Sequence, residues 1–181
     1  WQPAGNALFY RLYLWQKGEA EPVTPYRDNI SGTSVRVYNL SYGATYNWYV
    51  EAVNQCLQDT SVHQSFTVRN LPDLIFSGVS VPDTVLSATS YDLSYTVSNQ
   101  GAGATSGKTW YDAFYLSEDN SFEWSDHYLG QVLRKSSLDP DSSYTNQINI
   151  SFPMDAAGDY YIFGVTDRSN SIAETNNNNN I

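Results

Sequence analysis

Apolar and polar residues alternate in short runs along the whole chain. The clearest runs are residues 10–15, 46–52, 93–97, 110–116 and 161–165, with shorter ones at 35–38, 66–68 and 148–152. Apolar residues at 74, 76 and 79 lead into the second series of runs. A period of two residues is typical of β-strands, and no stretch shows the 3.6-residue period of an amphipathic helix. Because turn-forming Gly, Pro, Asn and Asp residues separate the runs, the pattern predicts an all-β fold of short antiparallel strands.

The most informative stretch is residues 110–130, which predicts a strand, an acidic loop and a second strand. One side of the first strand carries Trp110, Phe114 and Leu116. Asp112 falls on the same, otherwise apolar side. Since an isolated buried carboxylate is strongly unfavourable, we expect Asp112 to have polar partners.

Charge and turn residues predict two domains. The net charge of −10 falls entirely in residues 70–181, because acidic and basic side chains balance in residues 1–69. Pro72 lies at the change and cannot continue a paired strand. We therefore expect two tandem immunoglobulin-like antiparallel β-sandwiches, one in residues 1–69 and one in residues 70–181. The chain lacks the basic footprint that nucleic acid requires, and it has no apolar run long enough for membrane insertion.

The first domain resembles a fibronectin type III domain. The segment Leu40-Ser-Tyr-Gly43-Ala-Thr-Tyr46 is similar to the Leu-x-Pro-Gly-Thr-x-Tyr pattern of that family, and a strand pattern follows as far as Asn54. The resemblance implies that Tyr46 is the tyrosine-corner residue, with its hydroxyl bonded to the backbone across the turn. It also implies that early strands are absent, so we expect this domain to be truncated at its N-terminus.

The second domain resembles CARDB, a cell-adhesion-related domain found in bacteria. The matching pieces, in order, are Leu71-Pro-Asp73-Leu74, Tyr95-Thr-Val97-Ser-Asn99-Gln-Gly101, Asp112-Ala-Phe-Tyr115-Leu116-Ser117-Glu-Asp119, Asp126-His-Tyr-Leu129-Gly130, Gly158-Asp-Tyr160-Tyr161 and Asp167-Arg-Ser-Asn170-Ser-Ile172-Ala-Glu174-Thr-Asn176. The resemblance implies a module of a large secreted or cell-surface bacterial protein. The family has one more strand after this tail, so we expect the second domain to lack its last strand.

Calcium is one interpretation of the acidic residues in the second half. Carboxylate and amide oxygens from separate loops can form the shell of about six to eight oxygens that Ca²⁺ takes. The candidate ligands are Asp112, Asp119, Asp126, Asp167, Asn170 and Glu174. The alternative is that these residues are solvated loop acids and Asx turns. The adjacent run Asn176–Asn180 is expected to be ordered by turn bonding, by a bound ion or by a neighbouring chain.

An aromatic face is predicted in the first domain. Tyr13, Trp15 and Tyr49 point away from the inferred core on strands expected to be neighbours. Exposed aromatic rings can bind sugars, whereas cross-strand pairing on a solvated sheet explains the same pattern.

The sequence indicates no catalytic activity and no other cofactor. The histidines, His63 and His127, accompany no recognisable nucleophile motif, and the one cysteine, Cys56, cannot form a disulfide within the chain. We therefore expect a structural and adhesive module whose partners are neighbouring repeats, another protein chain or surface glycans. Two alternatives remain. One is an ancillary binding region of a secreted polysaccharide-degrading enzyme or peptidase, and the other is a subunit of an extracellular filament or secretion complex.

Overall fold

The structure is a computed structural model that describes residues 1–181, and it confirms the predicted all-β fold class. Its eleven strands are β1 Phe9–Gln16, β2 Arg27–Ile30, β3 Thr45–Val53, β4 Gln58–Thr60, β5 Gln64–Thr67, β6 Leu74–Ser80, β7 Ser90–Asn99, β8 Trp110–Ser117, β9 His127–Arg134, β10 Ser143–Ser151 and β11 Tyr161–Val165. All the pairings between them are antiparallel. The chain forms no helix that is long and apolar enough to span a lipid bilayer.

The chain divides into two compact units, Trp1–Arg69 and Asn70–Ile181. The first unit contains one sheet in the order β2-β1-β3, with β4 and β5 both pairing with β3. Alternation in β1 and β3 turns Tyr10, Leu12 and Val50 to one side, where they form the buried core of the unit.

Residues 35–38 do not form the predicted strand. Val35 and Val37 still pack against the core, so the apolar half of the pattern has a structural basis. The segment has no partner strand. Instead the Tyr26 hydroxyl accepts a hydrogen bond from the Tyr38 backbone N–H at 2.9 Å and donates one to the Tyr38 carbonyl at 3.3 Å. The Tyr26 side chain thus supplies the backbone hydrogen bonds that a neighbouring strand would otherwise supply.

Tyr46 bonds back to the backbone as predicted. Its hydroxyl accepts a hydrogen bond from the Ser41 backbone N–H at 3.1 Å, across the turn that precedes β3. The Tyr46 side chain is buried and stacks on Phe66 with ring centroids 5.8 Å apart. The bond fixes the turn relative to the start of β3.

In the second unit two three-stranded sheets, β10-β7-β6 and β11-β8-β9, enclose the core. Both sheets contribute buried side chains, including Leu93, Tyr95 and Val97 from β7 and Trp110, Phe114 and Leu116 from β8. The predicted sidedness of β8 is confirmed, since Ala113 and Tyr115 pack in a separate cluster on its other side.

The turn after β7 contacts the start of the unit at very short range. Asn99 is buried, and its Oδ1 accepts hydrogen bonds from the backbone N–H groups of Asp73 and Gly101. A Cβ added to Gly101 would lie 2.4 Å from the Pro72 carbonyl carbon, and one added to Gly103 would lie 2.3 Å from the Asn70 carbonyl oxygen. Glycine is therefore required at both positions.

We predict that Gly103→Ala destabilises the protein by about 1–3 kcal/mol, because its methyl group overlaps backbone that has no room to shift. Urea unfolding of the full chain measures the loss. Gly78→Ala in β6 is the matched control, since an added Cβ there has no atom within 4 Å. Equal unfolding midpoints for the two variants would contradict the required close approach.

Candidate functional site

Asp112 is the centre of a buried hydrogen-bond network. Its side chain is fully inaccessible. Its Oδ1 accepts hydrogen bonds from Trp110 Nε1 at 3.1 Å and from Thr166 Oγ1 at 2.8 Å. Its Oδ2 accepts bonds from the hydroxyls of Tyr95, at 3.2 Å, and Tyr144. The prediction that Asp112 has polar partners is confirmed, and the network joins both sheets of the unit.

The pKa values of three members of the network, Asp112, Tyr95 and Tyr144, are all raised. Burial raises the pKa of the Asp112 carboxyl, although the four hydrogen bonds favour its charged form. Burial also raises the pKa values of Tyr95 and Tyr144, and the nearby Asp112 carboxylate raises them further. Because all four donors point at Asp112, its oxygens are occupied by the protein itself.

The acidic loop between β8 and β9 contains Asp119 and Asp126. Asp119 Oδ1 accepts a hydrogen bond from the Ser121 N–H at 2.8 Å, and Asp126 Oδ2 accepts one from the Glu123 N–H at 2.9 Å. Both residues line an open groove of about 670 Å³, together with Glu118, Glu123 and Asp155. The loop therefore combines an Asx turn at Asp119 with a concentrated negative surface.

Asp167 organises the turn after β11. Its two carboxylate oxygens accept hydrogen bonds from the N–H groups of Ser171 and Ile172, each at 2.8 Å. Burial raises the pKa of Asp167, while these bonds oppose the increase. Asn170 is exposed, with a positive φ of 50°, and its N–H bonds the Asp167 carbonyl. Asn170 thus shapes the turn through its backbone.

Glu174 connects the terminal segment to the start of the unit. Its Oε2 accepts a hydrogen bond from the Leu74 N–H at 2.8 Å, across 100 residues of sequence. Asn180 Nδ2 lies 3.1 and 3.3 Å from the two Glu174 carboxylate oxygens. Burial raises the pKa of Glu174 to about 7, and the charges of Asp167 and Asp73 contribute to the increase.

The six predicted calcium ligands therefore lie in three environments. Asp112 is in the core, and Asp119 and Asp126 are in the acidic loop. Asp167 and Glu174 are close enough to interact electrostatically in the terminal segment, where the exposed Asn170 lies in the same turn. No group of three or more His, Cys, Asp or Glu side chains is arranged to hold a metal ion.

Asp73, Asp167, Glu174, Asn179 and Asn180 form what we call the terminal cluster. The sequence did not indicate Asp73, Asn179 and Asn180 as members of it. Asn179 Nδ2 donates to Asp73 Oδ1 at 2.9 Å, and Asn180 contacts Glu174 as described above. The sequence signal for this contact was that a Leu-Pro-Asp-Leu segment at residues 71–74 and an asparagine run at residues 176–180 occur in the same domain. Only the fold shows that the two segments meet.

The predicted aromatic residues of the first unit lie together. Tyr13 and Tyr49 are directly opposite in β1 and β3 and stack with centroids 4.6 Å apart. His63, which the sequence did not place here, stacks on Tyr49 at 4.9 Å, and the Trp15 ring meets Tyr49 and His63 edge-on. Burial raises the pKa of Tyr49 to about 12, with a further contribution from Glu21. We call Tyr13, Trp15, Tyr49 and His63 the aromatic ladder.

The comparisons with known proteins identify the second unit. The CARDB family profile matches residues 71–181, and the chain therefore belongs to the CARDB family. CARDB is a cell-adhesion-related domain of bacterial proteins. The match gives no support to a fibronectin type III domain in the preceding residues. No curated protein and no solved structure significantly matches the chain.

We predict that Asp112→Ala destabilises the protein by about 3 kcal/mol, because buried donors lose their acceptor and a cavity forms. Asp112→Asn is expected to cost only about 1 kcal/mol. Its remaining oxygen can accept from Trp110 and Thr166, while its amide group can donate to the tyrosine hydroxyls. Urea unfolding compares the variants, and equal losses would contradict the role of Asp112 as a shared acceptor.

Proposed function

We propose that this chain is a non-catalytic structural and adhesive module of a large bacterial protein that is secreted or displayed at the cell surface. The observation that carries the proposal is the connection between the two ends of the CARDB unit. Leu74 N–H bonds Glu174, and Thr175 N–H bonds the Pro72 carbonyl at 3.0 Å. We call these contacts the end clamp.

The end clamp supports a load-bearing role. A pull on the two ends of the unit first loads the outer hydrogen bonds, from the Gly103 N–H to the Leu71 carbonyl and from the Thr166 N–H to the Asn180 carbonyl. The load then reaches Pro72–Leu74 and Glu174–Thr175. These residues are bonded to each other, and Leu74 also begins β6, which pairs along its length with β7. Separating the ends therefore requires breaking buried hydrogen bonds before the sheets can peel apart.

Family membership and surface charge agree with this proposal. Cell adhesion is the role associated with the CARDB family. The strong negative charge disfavours phosphate-rich partners and suits an exposed module that must remain soluble. For the first unit we propose a fibronectin type III-like spacer, supported by the Tyr46–Ser41 bond and the antiparallel sheet.

Single-molecule force spectroscopy on the full chain, held by its ends in calcium chelator, tests the structural role. We expect Asn70–Ile181 to unfold in one step. Glu174→Ala should raise its unfolding rate under force about tenfold, because a buried backbone N–H loses its acceptor. Asn178→Ala is the control, since the Asn178 side chain is exposed and has no hydrogen bond. Unchanged rates in Glu174→Ala would contradict the load-bearing role of the clamp.

The aromatic ladder favours a second candidate function, an ancillary glycan-binding region of a secreted enzyme. Tyr49 is covered on both faces by Tyr13 and His63, so the ring edges and the Trp15 indole are the surfaces left to a sugar.

Under the ancillary function, a glycan array probed with the full chain should give binding that Trp15→Ala reduces at least tenfold. Tyr42→Ala, which removes an exposed aromatic ring outside the ladder, should leave binding unchanged. A chain that binds no glycan on the array would contradict the ancillary function.

A further inference from the structure

Two buried oxygen atoms near the end of the chain have no hydrogen-bond donor. They are Oδ1 of Asn179 and Oδ1 of Asn180, from consecutive residues. The Asn180 residue is only 8% exposed. A buried acceptor that has lost water without gaining a partner costs about 1–3 kcal/mol. Two such atoms in consecutive residues indicate a missing partner.

Both amides face carboxylates. Asn180 contacts the Glu174 carboxylate, and Asn179 contacts that of Asp73. The charges of Asp167 and Asp73 lie close enough to Glu174 to raise its pKa, after the larger effect of burial. The salt bridges of the chain both involve Arg11 in the first unit, so no ammonium or guanidinium group neutralises these three acids. The cluster thus combines uncompensated negative charge with unpartnered oxygens.

We propose that Asp73, Glu174, Asn179 and Asn180 bind one Ca²⁺ ion. The four side chains offer carboxylate and amide oxygens, the ligands that hard cations prefer, and neither sulfur nor imidazole contributes. Ca²⁺ fits better than Mg²⁺, because it accepts irregular shells of six to eight oxygens, whereas Mg²⁺ demands a compact octahedron and retains its water.

The spacing of the polar atoms agrees with this assignment. Rotating the Asn180 amide by half a turn would put Oδ1 where Nδ2 lies, 3.1 and 3.3 Å from the Glu174 oxygens. Oxygens about 3 Å apart can share one Ca²⁺, since each lies about 2.3–2.6 Å from the ion. The same rotation would turn the Asn179 oxygen towards Asp73, whose Oδ1 lies 2.9 Å from the present Nδ2.

The ion would join two segments that are distant in sequence: the residues before β6, and the terminal stretch that holds Glu174 and the asparagine run. This site differs from the acidic loop, whose carboxylates lie in a solvated groove without buried unpartnered oxygens. The inference is independent of the proposed function, because the end clamp is tested without calcium.

Isothermal titration calorimetry of the full chain with CaCl₂ at pH 8, after removal of metal, tests the site. We expect one ion bound with a Kd on the order of 10⁻⁴ M, as in extracellular calcium modules, and weaker binding of Mg²⁺. Glu174→Gln preserves the size of the side chain and an acceptor for the Leu74 N–H, and should weaken Ca²⁺ binding at least tenfold. Asn180→Ala should do the same.

Two controls separate this site from its alternatives. Asn178→Ala, in the same asparagine run, and Asp126→Asn, in the acidic loop, should both keep wild-type affinity. Excess Ca²⁺ should raise the melting temperature of the wild type by about 5 °C, and this shift should disappear in Glu174→Gln. Absence of binding by the folded wild type, full affinity in Glu174→Gln, or loss of affinity in Asp126→Asn alone would overturn the proposal.

Discussion

The second unit depends on one constraint: polar groups taken from water into its interior must find partners there. Asp112 meets this requirement with four donors and Asn99 with backbone groups from three segments. Asp167 and Glu174 meet it by accepting backbone N–H groups. Asp112, Asn99 and Glu174 connect parts of the chain that are distant in sequence, whereas Asp167 holds its own turn. The constraint therefore determines which segments lie together.

The same constraint makes the packing specific. Apolar side chains between two sheets tolerate several arrangements, whereas a buried carboxylate tolerates only one that supplies all its donors. A one-residue shift of β8 would move Asp112 to the opposite side of the strand. An apolar side chain would then face the four donors, which would lose their acceptor. The network at Asp112 thus selects the register of β8 against β9 and β11, in addition to any stability it contributes.

The sequence predicts the strands whose two sides differ in polarity. Alternation identified β1, β3, β7 and β8, and it also predicted that Asp112 needs partners. Alternation did not identify β2 and β4. Both strands are short and almost wholly polar, so the two sides of each strand do not differ in polarity. The prediction that residues 35–38 form a strand was wrong. Alternating apolar residues indicate which side chains are buried, but they do not show whether a second strand pairs with the segment.

The candidate sites were less predictable, since they depend on which loops meet. Asp73 and Glu174 are about a hundred residues apart, and no local spacing relates them. Conversely, Asp119 and Asp126 are close in sequence to each other, but they belong to a solvated groove apart from the terminal cluster. Three members of the aromatic ladder, Tyr13, Trp15 and Tyr49, were easier, because they lie on the neighbouring strands β1 and β3, and strand alternation alone predicts a shared side. His63 lies between β4 and β5, where alternation gives no such signal.

Charge and burial together explain why the terminal cluster stands out among many acids. Carboxylates in the acidic groove are solvated, so dissolved salt screens their repulsion within about 8–10 Å. Glu174 is largely removed from water, and mobile ions cannot approach it in the same way. Two neutral N–H donors, from Leu74 and Asn180, bond its carboxylate, and the two unpartnered asparagine oxygens cannot supply positive charge. A bound divalent cation satisfies the carboxylates and the amide oxygens at once, which a single water molecule cannot do.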